Sequence, residues 1–202
     1  IANLLESTEN GIPCVTVTGV REYDVAKTFD CGQCFRFEPV ENSTYDAEFA
    51  GVAFGRFISV AQDGDSIHVF NCTSDFFEEK LCHFLALDMD YQSIRRSIVS
   101  KTDSDYLREA SESSKGIRIL NQDRWETLCS FIISQNNNIP RIKKLVSALC
   151  ERCGEAVSVD GMESHGANGT FYSFPSPQAV FELGEDALKE MKFGFRASYI
   201  AD

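Results

Sequence analysis

The sequence predicts an α+β protein, an antiparallel β-sheet domain with helices followed by an all-helical part. Two observations carry this. From residue 12 to about residue 71, short runs of β-branched and aromatic residues alternate with polar ones and are separated by turn residues, the period-two pattern of strands with one face buried. From Ser74 onward the apolar spacing changes to i, i+3, i+4, i+7, which is helical.

The elements follow in order. Residues 12–20 (I-P-C-V-T-V-T-G-V) read as a strand. Tyr23 to Phe29 lead into the turn Asp30-Cys31-Gly32-Gln33, and Cys34–Val40 alternates again, with Phe35 and Phe37 assigned to the core. Tyr45–Gly51, Arg56–Ala61 and Ser66–Asn71 make an antiparallel meander of five or six strands in all. Phe77, Leu81, Phe84 and Leu85 then fit a helix from Ser74 to Leu87, capped by Ser74 or Asp75. Residues 90–100 and 103–113 form two further helical patterns, and the polar run before Gly116 marks a boundary between domains 1–116 and 117–202.

The chain then centres on Trp125–Arg141, W-E-T-L-C-S-F-I-I-S-Q-N-N-N-I-P-R. Trp125, Leu128, Cys129 and Ile132 share a face that Phe131 and Ile133 widen, predicting a helix buried around most of its circumference. Asp123 caps it, with Glu126 as the capping-box partner. Asn136, Asn137 and Asn138 make a tight turn, because asparagine tolerates left-handed backbone and bonds to nearby main chain. Pro140 opens a second helix whose apolar positions are Ile142, Leu145, Val146, Leu149 and Cys153. Arg141, Lys143 and Lys144 crowd its start, where free N–H groups favour anions, which suggests a phosphate-binding corner. On periodicity alone, a polar helix–helix turn with solvated lysines is the favoured reading. Residues 154–174 read as a surface loop with a solvated His165, Ser176-Pro177 starts a short helix to about Leu183, and Glu185–Lys192 is another, ended at Gly194.

Composition bounds the function. Forty-three per cent hydrophobic residues describe a globular chain, and no run reaches transmembrane length, so the expectation is an intracellular monomer with no membrane partner. The net charge of −12 opposes nucleic-acid binding in general. The acid is concentrated early, however: residues 1–120 carry 11 basic and 20 acidic side chains, and residues 121–202 carry 8 and 11. The pairs Cys31/Cys34 and Cys150/Cys153 have zinc-like spacing but lie over a hundred residues apart, so all eight cysteines read as ordinary thiols, with no metal and no cofactor.

Three stretches carry a resemblance. G-Q-C-F-R-F at 32–37, S-F-I-I-S-Q-N-N-N-I-P-R-I at 130–142 and F-G-F-R-A-S-Y at 193–199 are similar, in this order, to motifs of the 8-oxoguanine DNA glycosylases of the helix–hairpin–helix DNA-repair superfamily. The resemblance implies that residues 117–202 are the first part of an all-α glycosylase domain, and that the partner is double-stranded DNA containing oxidised guanine. It implies base-excision repair in the cytoplasm of a prokaryote or the nucleus or mitochondrion of a eukaryote.

Carried onto matching positions, Asn136 fills the space left by a flipped nucleotide, and Arg141 and Arg196 contact the orphaned cytosine. Phe195 is the wedge beside the stack, where the family more often has tyrosine. The Gly32 carbonyl accepts from N7–H of oxidised guanine, which normal guanine lacks. Read locally, Gly32 is equally an ordinary turn glycine, and Phe195 with Arg196 a helix-end contact plus a surface arginine. Lys143 and Lys144 remain candidate phosphate contacts.

The family's catalytic lysine lies in a G-x-G-x-K hairpin with an aspartate nearby. None of Lys27, Lys80, Lys101, Lys115, Lys143, Lys144, Lys189 and Lys192 sits in such a hairpin. The expectation is therefore damage recognition within a glycosylase and lyase, with no catalytic residue in these 202 positions. The alternative is a non-catalytic DNA- or protein-binding module of the same fold.

Overall fold

The computed structural model describes residues 3–101 and 103–202. It divides into two compact units. One holds the residues up to Gln33, with Pro39–Phe49 and Ser59–Asn121; the other holds Cys34–Glu38, Ala50–Ile58 and Gln122–Asp202.

The strands are β1 (Asn3–Glu9), β2 (Ile12–Thr18), β3 (Phe37–Pro39), β4 (Ala47–Ala53), β5 (Arg56–Asp63) and β6 (Ser66–Phe70), in the sheet order β1-β2-β6-β5-β4-β3. A strand at β1 is not evident in the sequence because most of its side chains are polar and exposed. It forms because Asn10 and Gly11, with φ of 51° and 84°, supply a hairpin turn that pairs Glu9 with Ile12 and Asn3 with Thr18. The sheet is not a simple meander: β2 pairs with β6, from Cys14 opposite Phe70 to Val17 opposite Ile67. The expectation of one buried face also needs correction for β4 and β5. Phe49–Ala53 and Phe57–Ala61 are buried at consecutive positions, so both faces are covered. The strand expected over Cys34–Val40 shrinks to Phe37–Pro39.

In the first unit, Tyr23–Phe29 contains a short helix, α1 (Val25–Phe29), whose Lys27 N–H donates to Asp24 Oδ1 at 2.8 Å. The helical run after the sheet consists of α2 (Ser74–Phe76), a π-helical turn (Phe77–Leu81) and α3 (Cys82–Phe84). Its cap is Thr73, in place of Ser74 or Asp75: Thr73 is extended and its side chain accepts from the Phe76 N–H. Ala86, at φ 52°, stops the run before Leu87. Helices α4 (Tyr91–Ser100) and α5 (Asp105–Ser113) follow as the spacing predicts, α4 capped by Asp90.

The second unit contains α6 (Arg124–Ser134), α7 (Ile139–Cys153), the two-stranded β7 (Ala156–Val157) and β8 (Phe171–Tyr172), α8 (Pro177–Glu190) and α9 (Arg196–Ala201). Gly184, at φ 78°, breaks α8 where the sequence placed two short helices. Ile133, Ile142, Leu145, Val146, Leu149, Val180, Leu188, Phe193, Ala197 and Ile200 form one apolar core.

Three expectations fail in this unit. Only Cys129 and Ile133 of α6 are buried, whereas Leu128 and Phe131 are 51% and 66% exposed, so the helix is covered on one side. Glu126 does not close a capping box; it pairs with Arg36 at 3.4 Å, both side chains largely buried. Burial raises the Glu126 pKa, and the Arg36 charge opposes that rise. His165 is buried at the end of a 3-10 turn, Glu163–His165, because the segment folds back around the fully buried Met162. No helix among the described residues is long and apolar enough to cross a membrane.

Candidate nucleic-acid interface

The site forms where α6 ends. Gln135 caps the helix at φ −57° and ψ 121°, and Asn136 turns the chain at φ 48°, the left-handed region that asparagine enters more readily than most residues. The next two asparagines fix the turn from either end. Asn137 Nδ2 donates to the Ile133 carbonyl at 2.9 Å, and Asn138 Oδ1 accepts from the Arg141 N–H at 3.1 Å as the cap of α7. Asn136 is exposed, and its side chain makes no hydrogen bond to the described residues. Two asparagines therefore build the turn and the third is presented by it.

Sixty residues later the chain returns to the same turn. Lys192 at φ 71° and Gly194 at φ 64° reverse it between α8 and α9, with Phe193 wholly buried between them. Phe195 then stands 53% exposed at the start of α9. Arg196, only 4% exposed, turns back under the asparagine turn. Its Nε donates to the Gln135 carbonyl at 3.0 Å, and Nη2 donates to the Gln135 carbonyl and to that of Asn136, the latter at 3.0 Å. Nη1 donates to the Phe193 carbonyl at 3.3 Å, and the guanidinium lies 4.5 Å from the Phe195 ring centre. Four of its five N–H groups are thus engaged in holding main chain. Arg141, by contrast, is exposed, and its guanidinium makes one hydrogen bond among the described residues, from Nη2 to the Lys192 carbonyl at 3.2 Å.

Asn136, Arg141, Phe195 and Arg196 are thereby brought together. The lysines are not equivalent. Lys143 is held by Glu38 at 2.7 Å, while Lys144 is exposed. No lysine among the described residues is buried.

Gly32 lies in the other unit, at φ 82°, a backbone geometry that favours glycine. Its neighbour Gln33 secures it. Gln33 Nε2 donates to the Thr28 carbonyl at 2.8 Å and to the Arg118 carbonyl at 2.7 Å, and Oε1 accepts from the Leu120 N–H at 2.9 Å. The Arg118 guanidinium lies 4.3 Å from the Tyr91 ring centre and donates to the carbonyls of Met89 and Arg21. The sequence marks Gln33 only as part of a turn and gives no sign of a role for Arg118. Their polar groups bond main chain 85–97 residues away in sequence, and no local pattern encodes that.

Of the C-x-x-C pairs, Cys34 and Cys150 are buried, and burial pushes each thiol up to about 12. Neither pair belongs to a metal-ligating cluster among the described residues.

Residues 16–128 match the model of the 8-oxoguanine DNA glycosylase N-terminal domain. The N-glycosylase/DNA lyase of Saccharomyces cerevisiae is 35% identical over 130 residues, covering 63% of this chain and 32% of the yeast protein. That of Arabidopsis thaliana is 29% identical over 183 residues, covering 89% and 47%. The crystal structure of Clostridium acetobutylicum 8-oxoguanine glycosylase/lyase in complex with double-stranded DNA containing cytosine opposite 8-oxoguanine superposes with a TM-score of 0.86 at 31% identity, over 99% of this chain and 63% of that one. The chain thus spans about a third to two thirds of the length of these relatives. With the family model matched over more than half its residues and the same fold in a solved member, the chain belongs to the 8-oxoguanine DNA glycosylase family.

Proposed function

We propose that this chain supplies damage recognition in a base-excision DNA glycosylase and lyase that acts on 8-oxoguanine opposite cytosine. The observation that carries this is the asparagine turn. Asn136 is exposed at a left-handed position, pinned from beneath by Arg196 and flanked by the exposed Arg141 and Phe195. A nucleotide swung out of a duplex leaves a gap and an unpaired partner. Asn136 fills the gap, Phe195 replaces the lost stacking, and the Arg141 fork matches the acceptors on the cytosine edge. Arg196 acts first by holding the turn; its remaining Nη1 hydrogen is what it can offer to the base. Lys144 suits a flanking phosphate better than Lys143, which Glu38 neutralises.

On the other unit, the Gly32 carbonyl accepts from N7–H of the oxidised base, and the Gln33 amide fixes its direction. Normal guanine would set a bare acceptor against that carbonyl, a mismatch of about 1–3 kcal/mol.

The test is fluorescence anisotropy with duplexes carrying 8-oxoguanine opposite cytosine or adenine. Arg141→Ala weakens binding opposite cytosine by roughly 1–3 kcal/mol and opposite adenine by less. Equal losses on both duplexes would make Arg141 a phosphate contact and remove the orphan-base reading.

A further inference from the structure

A carboxylate, a thiol and an imidazole that play no part in the site above meet on one face of the sheet: Glu9, Cys14 and His68, whose ligand atoms all lie within 4.8 Å of one another. The strand register causes this. Ser7 pairs with Cys14 across β1–β2, and Thr16 pairs with His68 across β2–β6. Because strand side chains alternate, Ser7 and Glu9, Cys14 and Thr16, and His68 all project from the same side.

Two neighbours orient the group. Thr16 Oγ1 lies 3.0 Å from His68 Nδ1; in the tautomer with the proton on Nδ1, the ring donates to this hydroxyl and Nε2 keeps its lone pair for a ligand. The Tyr45 hydroxyl bonds Glu9 Oε2 at 3.4 Å, and the Tyr45 ring centre lies 5.1 Å from that of His68. A ligating histidine whose other ring nitrogen is hydrogen-bonded, beside a ligating carboxylate that is itself hydrogen-bonded, is the outer arrangement that metal centres require.

We propose that Glu9, Cys14 and His68 bind a zinc-class divalent cation, with water in the fourth position. Thiolate with imidazole selects such a borderline-soft ion over magnesium or calcium. Ligand atoms around tetrahedral zinc sit about 3.3–3.8 Å apart, given bonds of about 2.0–2.3 Å. From the observed spacing, binding draws the partly exposed Glu9 and His68 side chains toward the wholly buried Cys14. The thiol proton leaves to solvent as the sulfur–metal bond forms, so binding tightens as pH rises. The cation ties β1, β2 and β6 together.

Cobalt(II) titration of the whole chain tests this, because a thiolate–cobalt bond gives a charge-transfer absorption. The expected result is one cobalt per chain, displaced by zinc, with the band lost in Cys14→Ser and affinity down at least about 10-fold in His68→Asn and Glu9→Gln. Zinc at 100 times its Kd raises Tm by about 5–10 °C in the parent chain and not in His68→Asn. Absence of the band overturns the proposal. So does a band that persists in Cys14→Ser, which would place the ion on Cys31 or the Cys150/Cys153 pair. If Cys14→Ser does not fold, an unchanged affinity in both His68→Asn and Glu9→Gln is equally fatal, since neither position is fully buried.

Discussion

Replacing Arg196 with alanine separates holding the asparagine turn from touching the DNA. In the structure its guanidinium donates four hydrogen bonds to three main-chain carbonyls and packs on Phe195. Gln135 and Asn136 are exposed, so water can partly replace what they lose; the Phe193 carbonyl, beside a wholly buried side chain, recovers less. Assigning about 1–3 kcal/mol to acceptors left unpaired, and about 0.5–1 kcal/mol to the lost contact with the ring, gives roughly 3 kcal/mol. For a chain of this size that lowers Tm by about 6–12 °C. Arg196→Lys should fall between, because one ammonium cannot fork onto the Gln135 carbonyl. The assay is thermal denaturation followed by circular dichroism, paired with duplex anisotropy. Once the turn loosens, affinity should fall whichever base stands opposite the lesion, unlike the selective loss expected for Arg141→Ala. A Tm shift under about 2 °C for Arg196→Ala would refute the reasoning and make the residue a surface contact.

Asn136→Gly keeps the left-handed turn while deleting the side chain, so Tm should move little and affinity for the lesion duplex should fall; a large Tm drop with intact binding would make Asn136 a purely structural residue. Gln33→Ala removes three hydrogen bonds behind Gly32, and the affinity ratio between 8-oxoguanine and guanine duplexes should drop toward unity, while a preserved ratio would show that Gln33 does not position the glycine. Incubation with an 8-oxoguanine duplex and borohydride should give no covalent product, because no described lysine is buried and a neutral amine at pH 7 needs desolvation or a neighbouring cation. A trapped band lost on changing one lysine would identify a nucleophile and defeat that expectation.

The sequence by itself determined what depends on short-range pattern. Alternation gave most of the sheet, the 3.6 period gave α4 to α8, and the caps Asp123 and Ser176 could be read directly because a cap needs only its own next three residues. Alternation does not reveal β1, since its mostly polar, exposed side chains show no apolar face; only the Asn10-Gly11 turn marks it. The motifs also located Asn136, Arg141, Phe195 and Arg196 as candidates.

Tertiary structure alone decided what each of them has to work with. Arg196 is buried and committed to main chain, Arg141 is exposed, and Lys143 is neutralised by a residue 105 positions away. Glu126, placed by its spacing to serve its own helix, instead balances Arg36, and Gln33, in a local turn, ties the nearby Thr28 carbonyl to two main-chain groups over 80 residues away. The physical reason is the same in each case. A charged or amide side chain reaches whatever buried partner the fold places within about 3 Å, and leaving that partner unpaired is costly, so its role is set by neighbours in space that sequence spacing does not record.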